Sequence, residues 1–220
     1  MTSIVKPLFK GLEQRTYRQA DSAVFLKTKE AFGGLSNMAG GYSLEVNGVH
    51  ILTAEALYQA CRFPHLPEVQ RIIIGQNSPM TAKMVGKPHR KDSRPDWNIV
   101  RVRIMRWCLR VKLAQNWERF GDVLLETDGK PIVEESRKDD FWGAKRINDE
   151  MLMGINILGR LLTDLRDELL SPRGELLRTV VPPDVTNFTL LSKTIGEIGI
   201  AAAPLSNTKP NPRDQPALFE

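Results

Sequence analysis

The sequence predicts an α+β fold, mainly helical with a small β-hairpin or sheet. Three observations carry this expectation. Two long segments, from about 96 to 116 and from about 154 to 170, repeat apolar residues at helical spacing. Leu44-Glu45-Val46 and Val49-His50-Ile51 flank Asn47-Gly48, the pair best suited to the positive-φ positions of a type I′ hairpin turn. Beyond that hairpin only Val24-Phe25-Leu26 and Ile132-Val133 read as strands, and both are short.

Taken in order, residues 1–22 are mixed and polar, a loosely attached lead-in to a domain expected over 23–171. After the first strand, glycines at 33, 34, 40 and 41 frame a loop around Ser36 and Asn37. Such a loop can offer backbone N–H groups and short polar side chains to a ligand, although it matches neither a P-loop nor a dinucleotide fingerprint. The hairpin then delivers the chain into a helix over 53–63, with Thr53 as N-cap. Glu55 falls in its first turn, at the positive end of the helix dipole. Glu55, Tyr58, Gln59 and Arg62 share one polar face of that helix, while Ala56, Ala60 and Phe63 turn toward packing.

A short helix is expected from Pro67 to Gly75, and another opens at Ser78-Pro79, with Ser78 as cap and Pro79 in the first turn. Lys83 and Lys87 lie one turn apart on it. Residues 87–97 form a polar loop. In the long helix that follows, Val100, Ile104, Trp107, Cys108 and Val111 make an apolar stripe, and Arg103, Arg106 and Arg110 a basic one. A further helix covers about 117–126. The last one turns Ile155, Leu158, Leu162, Leu165 and Leu169 inward. From Ser171-Pro172 onward Pro, Ala and Asn dominate with little periodicity, so 172–220 reads as an extended appendage.

With 220 residues, 41% of them hydrophobic, the chain can bury one ordinary core, and no apolar run is long enough to span a membrane. Cys61, Cys108 and the three histidines show no ligand spacing, so neither metal, cofactor nor disulfide is expected, and a cytoplasmic location is the default. The net charge of +5 is localised: residues 83–119 hold 11 Lys and Arg against 3 Asp and Glu. A basic segment on an otherwise slightly acidic chain suits a phosphate-rich partner.

Several residues collect where folding does not require them. Trp97 closes a polar loop, and Trp142 sits among Asp139, Asp140 and Gly143, with Glu134 and Glu135 nearby. Two loop tryptophans beside carboxylates suit a site that sandwiches an aromatic base next to a sugar. Carboxylates there can stabilise an oxocarbenium-like centre or activate water, and a desolvated lysine can serve as an amine nucleophile.

The ordered series FGGLSNM (32–38), TAEALYQACRF (53–63), SPMTAKMVGK (78–87), RPDW (94–97), VKLAQN (111–116), EESRKDDFWG (134–143) and GINILGRLLTDLRDEL (154–169) resembles the NADAR family. That resemblance implies its mostly helical fold and N-glycosidase chemistry on ribose-linked substrates. One branch of the family cleaves phosphorylated riboflavin-biosynthesis intermediates. Another removes ADP-ribose from guanine in nucleic acid, often opposite a DarT-type ADP-ribosyltransferase toxin. Carried over by position, the motif glutamate is Glu55, the acid before the Trp-Gly pair is Asp139, and the aromatic positions are Trp97 and Trp142. Ser36 and Asn37 with Gly33, then Tyr58, Arg94, Asp96, Gly143 and Asn156, are the substrate-binding positions it implies. The de-ADP-ribosylating branch works through a lysine Schiff base, for which Lys27 and Lys83 are the candidates and Lys112 a third, structural in character.

The chain also departs from the family pattern. Ala54 and Ala56 replace the usual Ser and His around the glutamate, and Arg62 replaces a lysine. The glycine-rich stretch typical after the Trp-Gly pair is AKRINDEMLM (144–153) here, which argues against the riboflavin branch. Hydrolysis of the ADP-ribose–guanine link in DNA is therefore expected. The alternatives are a riboflavin-intermediate N-glycosidase and a non-catalytic ADP-ribose-binding or toxin-neutralising module. Finally, QPALFE (215–220) resembles the Gln-x-x-Leu-Phe peptides that dock on the replication sliding clamp, with Gln215, Leu218 and Phe219 as the contacts.

Overall fold

The computed structural model describes residues 12–199. Along them run β1 (Arg15–Arg18), β2 (Ala23–Phe25), the hairpin β3 (Leu44–Val46) and β4 (Val49–Ile51), then helices α1 (Ala54–Ala60), α2 (Pro67–Ile74), α3 (Pro79–Val85), α4 (Trp97–Gln115) and α5 (Trp117–Leu125). There follow β5 (Ile132–Glu134), β6 (Lys145–Arg146), β7 (Met151–Gly154), α6 (Ile157–Leu170) and the small hairpin β8 (Thr189–Leu190) and β9 (Lys193–Thr194). The fold is α+β, as the sequence predicts. No described helix is long and apolar enough to cross a membrane.

The local signals act where the sequence places them. Asn47 and Gly48 take φ of 55° and 75°, as a type I′ turn requires. The Thr53 hydroxyl accepts the Ala56 N–H at 3.3 Å and starts α1. Ser78 caps α3, with Pro79 in its first turn.

The 19-residue α4 is the axis of the molecule. Its predicted stripe is buried, and so are Val102, Met105, Leu109, Leu113 and Ala114, because α1, α5, α6 and β3 surround it. The basic stripe, partly exposed, is engaged within the chain. Arg106 and Arg110 pair with Asp164 and Glu168 of α6 at 3.2 and 2.5 Å, and Arg103 donates to the Asp184 carbonyl at 2.9 Å. Arg106 and Arg110 thus seam α4 to α6, and Arg103 ties α4 to the chain at Asp184.

Segments on both sides of the expected domain pack onto it. The lead-in expected over 1–22 contains β1, which pairs antiparallel with β7, Arg15 opposite Gly154 and Arg18 opposite Met151. Strands of four residues in polar surroundings are too short to register as a period. The appendage expected from 172 does not stay apart: Leu177, Val180, Phe188, Leu190, Ile195 and Ile198 enter the core. Phe188 meets Trp107 edge to face, their ring centroids 4.8 Å apart. Gln70, fully buried, donates to the Ala60 and Thr189 carbonyls and accepts the Leu191 N–H, stitching this segment to α1 and α2. A proline-rich composition disfavours long helices but not burial. Gln215, Leu218 and Phe219 lie outside the described residues.

Candidate active site

One cavity of about 370 Å³ gathers the polar face of α1. Glu55 is buried at 6% exposure, and its Oε1 accepts from Gln59 Nε2 at 2.9 Å, one turn along the same helix. Its backbone N–H donates to the Asn37 carbonyl at 3.1 Å, so the Gly-rich loop closes over the start of α1. Tyr58, Gln59 and Arg62 complete this wall. From α3, Lys83 Nζ comes within 3.9 Å of Glu55 Oε1.

Glu134, the last residue of β5, lines the same cavity. Burial, then the charges of Glu55 and Asp139, push its carboxyl up to about 7. Asn156 fixes it in place: Oδ1 accepts the Glu134 N–H at 3.1 Å, and Nδ2 donates to the Ile132 carbonyl at 2.9 Å. That geometry needs Asn156 in the left-handed region, at φ 54°. Gly143 serves the same strand, because a Cβ there would lie 2.5 Å from the Glu134 carbonyl oxygen.

The aromatic wall differs from the expected sandwich. Tyr58 packs against both Trp97 and Trp142, with ring centroids at 5.0 and 5.7 Å. Trp97 is only 6% exposed and lies under the Arg62 guanidinium, whereas Trp142, half-buried, lines the same cavity against Tyr58 and Phe141. Burial holds the Tyr58 hydroxyl well above the ordinary tyrosine range, so it stays a neutral donor. Asp139 sits at the rim, and its Oδ1 accepts the N–H groups of Phe141 and Trp142 at 3.0 and 2.9 Å. It sets the turn that presents Trp142.

Asn37, 4% exposed, lines the cavity, and its buried Oδ1 finds no partner among the described residues. A buried acceptor without a donor is costly unless a ligand supplies one. Ser36 lines the same wall and accepts the Met38 N–H through its hydroxyl.

The two lysine candidates separate cleanly. Lys83 reaches the cavity; Lys27, with its side chain 68% exposed, pairs with Glu30 away from it. Lys112 is fully buried and takes no place in the cavity. Its ammonium donates to the Gly34 and Ser36 carbonyls at 2.6 and 3.0 Å, above the rings of Tyr42 and Phe120. Burial pushes its pKa well below the ordinary lysine value. It anchors the loop that carries Asn37.

Five other expected substrate contacts lie outside the cavity lining and serve structural contacts in this geometry. Gly33 gives its N–H to the Glu30 carbonyl and has no room for a Cβ against Thr28. Arg94 clasps Asp96 and donates to the Thr186 carbonyl, which braces the start of α4 against residues 184–189. Asp96 is that clasp's acceptor, and neither residue lines the cavity. Asn156 and Gly143 act through Glu134 rather than on a ligand.

The sequence alone missed Glu134 as a principal group, together with Arg90, Asn98 and Arg101, which line the cavity too. The signal for Glu134 was its position directly after Ile132-Val133. Successive strand residues face opposite sides, so Glu134 turns to the cavity and Glu135 to Arg146, at 2.6 Å. A wider groove of about 560 Å³ between β1 and α6 holds no comparable set, since Arg106 and Arg166 there are tied to Asp164 and Asp167.

Comparison with known proteins places this cavity inside a shared domain. The NADAR domain matches residues 24–170. N-glycosidase YbiA of Escherichia coli (strain K12) is 32% identical over 148 residues, covering 66% of this chain and 86% of that protein. The chloroplastic riboflavin biosynthesis protein PYRR of Zea mays is 32% identical over 160 residues, covering 66% of this chain and 25% of that one. The solution NMR structure of E. coli YbiA superposes with a TM-score of 0.58 at 32% identity, over 68% of this chain and 85% of that one.

Proposed function

The chain belongs to the NADAR family, and from that premise we propose that it hydrolyses the N-glycosidic bond between ADP-ribose and guanine in DNA. At the coarser level the activity is that of an N-glycosidase. The observation that carries this is the convergence of Glu55, Glu134 and Lys83 on one cavity, with the unpartnered Asn37 Oδ1 beside them.

The chemistry follows from their placement. The ribose ring opens to an imine at C1′ as the proton of the glycosidic N–H passes to the departing ring oxygen. The neutral amine of Lys83 adds to C1′, and Glu55, 3.9 Å away, takes the proton shed by the adding nitrogen. The C1′–N bond to the base breaks as Glu134, held near 7, protonates the departing nitrogen. Water then adds to the lysine imine and releases sugar and lysine. Asn37 Oδ1 suits a ribose hydroxyl, and Trp142 suits the face of the base.

Nucleic acid as the carrier of the base is supported by the cavity mouth. Lys83 and Arg90 are exposed there, and Lys87 and Lys91 are exposed in the same segment. An ADP-ribosyltransferase toxin that creates the modification is the partner this reading implies. A second reading, cleavage of a phosphorylated riboflavin intermediate, is favoured by the name of the maize relative. Against it, where that branch has a glycine-rich stretch this chain forms β6 and β7, a hairpin paired to β1.

The test is mass spectrometry of an oligonucleotide carrying ADP-ribosylated guanine, incubated with substoichiometric protein. Loss of the ADP-ribose mass over many turnovers is expected. An untouched oligonucleotide with ribose 5-phosphate released from pyrimidine substrates would transfer the assignment to the second reading. Stoichiometric binding without release would make the chain a binding module.

A further inference from the structure

Resting on the reading of this cavity as a glycosidase site, we infer that Arg62, Arg90 and Arg101 form a separate anion wall that receives a phosphate group of the substrate. Three elements bring these residues together: the end of α1, the turn at Pro88–Asp92, and α4. Among the described residues none of the three makes an ion pair. By contrast Arg94, Arg106, Arg110, Arg146 and Arg166 each hold a carboxylate.

The two inner guanidiniums are braced for a ligand. Arg101 lies 3.9 Å over the Phe141 ring and 6.0 Å from Trp142, and its buried Nε has no hydrogen-bond partner. Arg62 lies 5.0 Å over Trp97 and donates through Nε to Ser93 Oγ at 2.6 Å. Ser93 in turn donates to the Arg90 carbonyl, which ties the turn carrying Arg90 to α1. Burial, and then the neighbouring charge of Arg90 with a smaller part from Arg101, holds Arg62 below the usual arginine range. Like charges gathered on one wall without a counter-ion repel one another, and an entering phosphate relieves that repulsion. A phosphate offers about two negative charges and three acceptor oxygens, the pattern that flat, pre-oriented guanidiniums recognise best.

The wall is distinct in task from the Glu55–Glu134–Lys83 floor: it holds the sugar's phosphate end while the floor works at C1′. The phosphate could be a 5′-monoester or the pyrophosphate of ADP-ribose. Calorimetric titration of the full chain with inorganic pyrophosphate, ribose 5-phosphate, ADP-ribose and an unmodified oligonucleotide separates these sources.

Arg101→Met and Arg62→Met should weaken pyrophosphate roughly 10–100-fold, the scale of a lost charged hydrogen bond. They should weaken ADP-ribose or ribose 5-phosphate equally, whichever is the natural ligand. Arg90→Met, at an exposed position, should do so by a smaller factor and keeps the test valid if the inner variants fail to fold. Where turnover is measurable, KM should rise far more than kcat falls. Affinities within twofold of wild type for all phosphate ligands would overturn the wall, as would a loss confined to the unmodified oligonucleotide. The titrations require no turnover. A chain that cleaves no ADP-ribosylated guanine, yet loses ADP-ribose affinity on Arg101→Met, keeps the wall and loses only the substrate assignment.

Discussion

Replacing Glu134 by Gln should make the protein more stable and less active at once. Gln keeps the outline of the side chain but cannot ionise. In the folded chain Glu134 is raised from an ordinary 4.5 to about 7, first by burial and then by Glu55 and Asp139. A carboxyl with a raised folded pKa stabilises below its unfolded value and forfeits that contribution as pH climbs through the folded one. Between 4.5 and about 7, at ~1.4 kcal/mol per pH unit, the penalty reaches about 3 kcal/mol by pH 8. Glu134→Gln removes it. Calorimetric unfolding should then show Tm higher by about 6–12 °C at pH 8 and little changed near pH 4.5, for a domain of this size. The same variant should lose roughly 10²–10⁴-fold in rate, together with the alkaline fall of the pH–rate profile near 7. Glu55→Gln should spare the fold and abolish turnover. By NMR titration it should lower Glu134 only part of the way, because burial is the larger cause. A Tm difference between Glu134→Gln and wild type that stays flat from pH 4.5 to 8 would refute the assignment of Glu134 as the raised carboxyl.

Borohydride trapping during turnover should label the protein at Lys83. Lys83→Met should lose the adduct and the activity, whereas Lys27→Met should keep both; labelling of Lys27 would sink the assignment. Asn156→Ala leaves the Glu134 N–H and the Ile132 carbonyl unsatisfied, so denaturant unfolding should show a loss of about 1–3 kcal/mol per group. Its activity should fall because Glu134 is no longer held at the cavity, and wild-type kinetics in this variant would contradict that role.

The parts legible in the sequence were those with a local cause. Asn47-Gly48 turns the hairpin by its own backbone preference, and the Thr53 hydroxyl starts α1 from three residues away. The shared face of Glu55, Tyr58, Gln59 and Arg62 is a property of helical spacing, and it became one wall of the cavity. What escaped depends on distant partners. Arg106 and Arg110 look like a basic surface until Asp164 and Glu168, 58 residues on, close against them. Lys27 and Lys83 are indistinguishable until the packing of α3 on α1 brings only Lys83 to Glu55. Arg94 and Asp96 sit in a recognisable motif, yet their task is to brace the chain at Thr186. Local patterns reveal elements; they do not say which polar side chains those elements will satisfy internally.

The pairing of β1 with β7 has a practical side. The stretch shared with relatives, 24–170, begins after β1 and ends before Phe188. A fragment trimmed to those limits would bare the outer edge of β7 and strip the cover from Trp107. Open strand edges and uncovered aromatic surface are the usual templates for self-association. Shared sequence therefore marks the chemistry, while the limits of a well-behaved fragment lie farther out on both sides.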